Sequence, residues 1–138
     1  MSESEYICTK RVMIIEDNEI SQELAKRIIE QLGHTVLQLF EGKNAVEKIR
    51  ELKPDLIILD IMLPDASGIE ICRKLKDDPE LKKIFVIIVT ALGSDEDKKR
   101  IVAESGCNNY IIKPIIPRLF AAAIGRYVHI RDVDGWIQ

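Results

Sequence analysis

Five side chains that can take part in phosphoryl chemistry each stand at the end of an apolar run of the sequence. They are Glu16, Asp17, Asp60, Thr90 and Lys113. A carboxylate can attack phosphorus, a bound divalent cation can neutralise phosphoryl oxygens, and a lysine and a hydroxyl can bind the remaining oxygens. A strand that only had to stop could do so on glycine or asparagine. The hydroxyl and the amine therefore suggest a shared anionic ligand.

The three carboxylates indicate a site for a hard cation. Carboxylates close together repel one another unless a cation or a proton lies between them. Oxygen ligands with several waters suit Mg²⁺, and the absence of histidine and cysteine near these positions argues against zinc or copper. Simpler interpretations stay open here, since Asp60 could merely end a strand and Glu16 and Asp17 could merely favour a helix N-terminus. Asn18 is the better N-cap candidate of that segment.

Short apolar runs alternate five times with longer amphipathic stretches. This rhythm predicts five β-strands, each followed by an α-helix. In the first helix Ile20, Leu24, Ile28 and Leu32 recur every fourth residue, and Gly33 ends the pattern. The predicted strands are residues 11–15, 34–40, 55–60, 85–90 and 109–113. The later helices are predicted near residues 45–52, 69–75, 94–106 and from Pro117 onward.

The strand patterns predict a parallel sheet covered on both faces. Residues 55–60 and 85–90 are apolar on both faces, as central parallel strands are. Residues 34–40 alternate only in part, as an edge strand does. Right-handed connections give a three-layer α/β sandwich. Ligands of such sheets bind beyond the carboxyl ends of the strands, where the five side chains would meet.

The composition fits one globular domain of 138 residues, with 46% hydrophobic residues and a net charge of −3. Scattered lysines and arginines offer no surface to nucleic acid or anionic lipid, and no apolar run approaches the roughly 20 residues of a membrane span.

Cys8, Cys72 and Cys107 form no CxxC pair, which is typical of reduced thiols in the cytoplasm. The expected division is a flexible leader, one domain, and a C-terminal tail or linker remnant, at residues 1–10, 11–130 and 131–138.

Four sequence blocks in a fixed order resemble the response-regulator receiver domain of the CheY-like superfamily. They are IIEDNE, LIILDIMLPDASG, IIVTA and YIIKP, and the similarity spans about Lys10 to Val128. Within that superfamily the chain is similar to single-domain regulators. The resemblance implies a flavodoxin-like (βα)₅ fold with strand order 2-1-3-4-5. It also implies aspartyl phosphorylation by a histidine kinase or a histidine phosphotransfer protein.

The resemblance implies a phospho-acceptor and a metal shell. Asp60 matches the phospho-acceptor at the end of the central strand. Glu16, Asp17, Asp60 and the backbone carbonyl of Met62 match the ligands of Mg²⁺, for which Mn²⁺ can substitute. On this basis the chain acts on itself and is not a turnover enzyme.

The resemblance also implies a phosphate-binding and switching set. Thr90 matches the switch hydroxyl, with the small Ala91 beside it leaving room for a phosphoryl group. Lys113 matches the phosphate-binding lysine, and its bond to Pro114 would be cis. Tyr110 matches the aromatic side chain whose rotamer follows the switch.

The implied switch connects phosphorylation to a surface for a protein partner. Thr90 would move toward the phosphoryl group, Tyr110 would take the vacated space, and the face made by the fourth helix, fifth strand and fifth helix would change. We expect a downstream protein to bind this face, and a phosphorylation-dependent dimer is a further expectation. Direct contact with nucleic acid or membrane is not expected. The apolar residues assigned to this face are Ile101, Ile111, Ile115 and Phe120.

Two positions depart from the commoner receiver pattern. Met62 and Leu92, two residues beyond Asp60 and Thr90, are apolar and cannot orient an attacking water by a hydrogen bond from the side chain. We therefore expect a phospho-aspartate that hydrolyses slowly.

Several alternatives stay open on sequence alone. A receiver-like module could dock partners without phosphorylation, and the chain could be a receiver domain excised from a hybrid histidine kinase. A haloacid dehalogenase needs a second acid two residues after the nucleophile, where this chain has Met62. A flavin carrier needs a Ser/Thr/Gly-rich phosphate loop after the first strand, where this chain has EDNEIS.

Overall fold

A computed structural model describes the backbone of residues 9–137 and the side chains of residues 9–128. The predicted leader lies outside the described residues, apart from Thr9 and Lys10. Strands and helices alternate along the chain. The elements are β1 (Arg11–Ile15), α1 (Glu19–Gln31), β2 (Thr35–Leu39), α2 (Ala45–Leu52), β3 (Leu56–Asp60), α3 (Gly68–Asp77), β4 (Phe85–Thr90), α4 (Asp95–Ser105), β5 (Asn109–Ile112) and α5 (Pro117–Ile137).

The five strands form one parallel sheet in the order β2-β1-β3-β4-β5. This order confirms the predicted flavodoxin-like fold. From β1 the chain first adds β2 on one side and then adds β3, β4 and β5 on the other side. The carboxyl ends of β1 and β3 therefore form a topological switch point. Asp60 is the last residue of β3, and Glu16 directly follows β1.

Each face of the sheet carries its own apolar core, because successive strand residues point to opposite faces. Met13 and Ile15 of β1 belong to a cluster that includes residues of α2 and α3. Val12 and Ile14 belong to the opposite cluster, with residues of α1 and α5. All five residues of β3 are buried, as the continuous apolar pattern of a central strand predicts.

Helix α1 begins at a side-chain cap and ends at a glycine. The Asn18 carboxamide oxygen accepts a hydrogen bond from the Ser21 N–H (2.8 Å), as the sequence predicts. Gly33, with φ of +92°, follows the C-cap residue Leu32.

The residues that α1 buries are mostly not the ones that its apolar spacing picks out. Of the four residues that recur every fourth position, Ile28 is buried, whereas Ile20 is 81% exposed and Leu24 and Leu32 are also exposed. The buried residues of α1 are Gln22, Ala25, Ile28 and Ile29. A strict interval of four drifts around a helix with 3.6 residues per turn, so it indicates a helix without fixing which face is buried.

Helix α5 continues further than expected from the sequence. Its backbone is helical from Pro117 to Ile137, through most of the segment assigned to a tail. Within the described residues, no helix combines the length and apolarity needed to cross a bilayer.

Candidate functional site

Three carboxylates meet at the carboxyl ends of β1 and β3. Single oxygen atoms of Glu16, Asp17 and Asp60 all lie within 4.8 Å of one another. Glu16 and Asp60 are buried, and Asp17 is exposed. The cluster is thus open to solvent on the Asp17 side and enclosed on the other. Neighbouring strands bring together residues that are more than forty positions apart in the sequence.

The Lys113 ammonium group joins two of these carboxylates. Its Nζ donates hydrogen bonds to Glu16 Oε1 (2.9 Å) and Asp60 Oδ2 (3.0 Å). The backbone places it there, because the Lys113 N–H donates to the Thr90 carbonyl oxygen (2.7 Å) just beyond β5. The Lys113–Pro114 peptide bond is cis. A cation from β5 therefore faces the acids from β1 and β3.

Burial and mutual contact shift the pKa values of this group. Burial, together with the adjacent Asp60 carboxylate, raises the pKa of Glu16 to about 7, and the pairing with Lys113 opposes that rise. Burial alone would lower the pKa of Lys113, but its hydrogen bonds to Glu16 and Asp60 outweigh this effect and raise it. The pairing keeps the lysine charged, and the cluster as a whole favours a further positive charge.

The donor set fits a hard divalent cation. Glu16 Oε2 is buried and has no hydrogen-bond partner among the described residues. A buried, unpartnered carboxylate oxygen is costly unless a proton or a cation binds it. The three clustered ligands are all carboxylates, which suits Mg²⁺ and not softer metals. Glu16, Asp17 and Asp60 could therefore hold Mg²⁺ with water completing the shell.

Thr90 and Tyr110 both bind the backbone of one residue in the loop after β4. Thr90 Oγ1 accepts a hydrogen bond from the Leu92 N–H (3.1 Å). The Tyr110 hydroxyl donates to the Leu92 carbonyl oxygen. Thr90 is buried, and Ala91 between Thr90 and Leu92 is exposed. The loop thus connects the two residues predicted to switch.

Comparison with known proteins identifies this arrangement. Residues 12–125 match the family model described as the response regulator receiver domain. The chain therefore belongs to the response regulator receiver domain family. This finding confirms the resemblance seen in the four sequence blocks. Receiver domains are signalling proteins of two-component systems, and they bind Mg²⁺ at an acidic pocket like the one formed here.

Several relatives support this assignment. The receiver domain is 44% identical over 120 residues to the polar-differentiation response regulator DivK of Brucella ovis, covering 87% of this chain and 97% of that protein. It is 32% identical to the signal receiver domain of a histidine kinase from Syntrophus aciditrophicus, with a TM-score of 0.78 and coverage of 86% and 89%. It is 28% identical to the BeF3-activated N-terminal receiver domain of Klebsiella pneumoniae RstA, with a TM-score of 0.75 and coverage of 83% and 94%.

Met62 lies at the rim of the acidic pocket of this receiver domain. Its N–H donates to Asp60 Oδ1 (3.2 Å), and its side chain is 71% exposed. An isolated antiparallel bridge pairs Met62 with Ser67, which closes the loop between β3 and α3. The Asp60 carboxylate is thus held by Met62 on one oxygen and by Lys113 on the other.

Gly68 supports the site and was not singled out from the sequence. It begins α3 directly against the end of β3, and its N–H donates to the Ile61 carbonyl oxygen (2.8 Å). A Cβ atom at this position would lie 2.2 Å from the Asp60 carbonyl oxygen. Only glycine permits this approach without a backbone shift. The available signal was a glycine directly before the predicted helix at residues 69–75, at a position where the chain turns from β3 into that helix.

The prediction of which apolar residues form the partner face is wrong. Ile101 and Phe120 are fully buried, and Ile111 and Ile115 are half-buried against the core formed with α1 and α5. They were assigned to the face because they are apolar, but the same property places them inside. The exposed apolar residues on α4, on β5, in the loop before α5 and in the first turn of α5 are Val102, Ile112, Ile116 and Leu119. The last three, with Tyr110, line a groove of about 460 Å³.

Proposed function

We propose that this receiver domain is a phosphorylation switch whose acceptor is Asp60. The phosphoryl donor would be a histidine of a kinase or a phosphotransfer protein. The observation that carries the proposal is the Lys113 ammonium group, shared between Asp60 Oδ2 and Glu16 Oε1 inside a cluster of three acids. An acid cluster alone would serve cation binding. The added lysine supplies a second positive charge for the phosphoryl oxygens.

Each residue has a defined part in this transfer. An Asp60 oxygen forms the new P–O bond while the P–N bond to the donor histidine breaks, and the released imidazole takes a proton from water. Lys113 exchanges a carboxylate contact for a phosphoryl oxygen. Mg²⁺ held by Glu16, Asp17, Asp60 and the Met62 carbonyl would supply neutralisation of the phosphoryl charge. The product is an aspartyl phosphate and a free histidine.

The response would pass from the phosphoryl group to the loop after β4. Thr90 Oγ1 accepts a hydrogen bond from the Leu92 N–H, and its hydroxyl could donate to a phosphoryl oxygen on Asp60. Movement of Thr90 toward that oxygen would draw it away from the Leu92 N–H. Tyr110 would take the space that Thr90 vacates, so its hydrogen bond to the Leu92 carbonyl oxygen would change as well. A new loop position biases the face made by α4, β5 and α5, where the apolar groove lies.

The proposed partners are proteins. The phosphodonor would be a histidine kinase or a phosphotransfer protein, and a downstream target or a second phosphorylated copy would bind the apolar groove. We also propose a cytoplasmic location, where thiols stay reduced. Cys72 and Cys107 are free and buried, and burial raises the pKa of the Cys72 thiol to about 11, which keeps it unreactive.

Phosphorylation by acetyl phosphate with Mg²⁺ tests this proposal. We expect the wild-type chain to gain one phosphoryl group by intact mass, and to lose this labelling when the cation is chelated. Asp60→Asn should abolish labelling while circular dichroism shows the fold retained. Asp77→Asn, on the exposed end of α3, is the matched control and should label normally. Labelling of Asp60→Asn at the normal rate would overturn the acceptor assignment, and an unlabelled wild type would favour a docking module without phosphorylation.

A further inference from the structure

Gln22 is a buried polar residue of α1 whose amide lies at the end of the sheet beside the acidic cluster. It is 1% exposed. Its Nε2 donates to the carbonyl oxygens of Ile14 (3.0 Å), Glu16 (3.1 Å) and Leu39 (2.7 Å). Since the amide has two hydrogens, one of them is shared between acceptors. One side chain thus donates to three carbonyl groups at the ends of β1 and β2.

The Glu16 carbonyl is the informative acceptor. It belongs to the peptide unit that joins Glu16 to Asp17, so a donor on it restrains the relative orientation of the two acids. The preceding peptide unit is restrained as well, because the Glu16 N–H donates to the Leu39 carbonyl oxygen (3.1 Å). Gln22 also donates to that Leu39 oxygen. The Gln22 side-chain amide therefore restrains the peptide unit after Glu16 directly. It also binds the Leu39 carbonyl that holds the peptide unit before Glu16.

The Gln22 amide is itself oriented by a neighbour. Its Oε1 accepts a hydrogen bond from Gln38 Nε2 on β2 (3.1 Å). This bond fixes which end of the amide faces the three carbonyls, because only the nitrogen can donate to them. Asp17, in contrast, has an exposed side chain, so its position depends on the backbone that carries it.

We propose that Gln22 is a positioning residue that holds the Glu16–Asp17 peptide unit in the conformation a divalent cation requires. The inference rests on the proposed cation site. Gln22 touches neither the cation nor the phosphoryl group and acts only through the backbone of Glu16. Groups that orient metal ligands change metal affinity by about 10- to 100-fold when they are removed. We expect the lower part of this range, because a backbone restraint acts less directly than a bond to a ligand atom.

The test compares Gln22→Met with the wild-type chain by NMR. Methionine has nearly the same length but no donor. We expect the dissociation constant for Mg²⁺, followed at the Asp17 amide, to rise about tenfold. In metal-free protein the order parameter of the Asp17 amide should fall from rigid values near ~0.85 toward ~0.6. If Gln22→Met does not fold, Gln22→Asn keeps the amide, is too short to reach all three carbonyls, and should show the same two changes.

Ile29→Val is the control for general loosening of α1, because Ile29 is a fully buried residue of the same helix away from the acids. It should leave both measurements unchanged. Equal Mg²⁺ affinity and equal Asp17 order in Gln22→Met and wild type would overturn the proposal, and so would equal effects of Ile29→Val. A wild type that binds no Mg²⁺ would overturn the cation site instead, and the Asp17 order parameter in metal-free protein would still decide the role of Gln22.

Discussion

The hydroxyl of Tyr110 donates a hydrogen bond to the backbone carbonyl of Leu92. The N–H of the same residue donates to Thr90 Oγ1, so Leu92 connects the two side chains. Burial raises the pKa of the Tyr110 phenol above its ordinary value, which keeps this donor protonated in the physiological range.

Tyr110→Phe should loosen the loop after β4 without blocking phosphorylation. The variant loses one hydrogen bond, worth about 1 kcal/mol of unfolding free energy. The Leu92 amide should shift in NMR spectra, while labelling by acetyl phosphate continues, because the lost bond is to Leu92 and not to the acidic cluster. Tyr127→Phe is the control. It removes a hydroxyl bonded to the Asp55 carbonyl (3.0 Å) at the opposite end of the sheet, and should leave the Leu92 signal in place. An unchanged Leu92 signal in Tyr110→Phe would contradict this link.

Met62→Asn should shorten the lifetime of the phospho-aspartate. Met62 stands at the exposed rim beside Asp60 and offers no side-chain donor to an attacking water. One new hydrogen bond worth about 1 kcal/mol in the transition state corresponds to a roughly fivefold faster hydrolysis. Decay of phosphorylated protein after removal of acetyl phosphate measures the rate. Met62→Leu should keep the slow rate, and an equal lifetime for Met62→Asn would count against the explanation of slow hydrolysis.

Gly68→Ala should disturb both stability and phosphorylation. The added Cβ would lie 2.2 Å from the Asp60 carbonyl oxygen and 2.8 Å from Ile61 Cα, both backbone atoms that cannot rotate away. Overpacking of this kind costs about 2 kcal/mol of unfolding free energy. Displacement of the Asp60 backbone should also slow labelling. Gly125→Ala in α5 is the matched control, because among the described residues no atom other than its chain neighbours and nearby helix backbone lies within 4 Å of its added Cβ. It should be neutral or stabilising in urea unfolding. Equal unfolding curves for the two variants would refute this role for Gly68.

Much of the fold follows from the sequence because strand periodicity and strand ends are local signals. The apolar run 85–90 becomes β4 with the same bounds, and Asn18 and Gly33 mark the ends of α1 as expected. The convergence of Asp60 and Lys113 also follows, since parallel strands bring their carboxyl ends to one edge.

Other features depend on contacts that no local pattern specifies. Ile20 is apolar yet exposed, and Gln22 is polar yet buried, because sheet ends leave carbonyls that only a donor can satisfy. Ile101 and Phe120 were placed on the partner face for their apolar character, although whether an apolar residue lies inside or outside depends on its neighbours. The close approach of Gly68 to Asp60 is likewise a property of how α3 meets β3.

His34 should make the stability of the metal-free protein depend on pH. Its Nδ1 accepts a hydrogen bond from the Lys10 N–H (3.1 Å), and burial lowers its pKa below the ordinary 6.5. Above about pH 6.5 the histidine is neutral in both folded and unfolded chains. As the pH falls, the unfolded chain binds the proton first, so this residue lowers the unfolding free energy until the folded state is protonated too.

Urea unfolding at about pH 7.5 and about pH 5.5, values on either side of the ordinary histidine pKa, measures this effect. The raised pKa of Glu16 acts with the opposite sign, because there the unfolded chain releases its proton first as pH rises. The decisive quantity is therefore the difference between variants. His34→Gln keeps an acceptor without titrating and should lose less stability at the lower pH than the wild type. An identical pH response of His34→Gln and the wild type would show that folding does not change the pKa of His34, and would contradict this prediction.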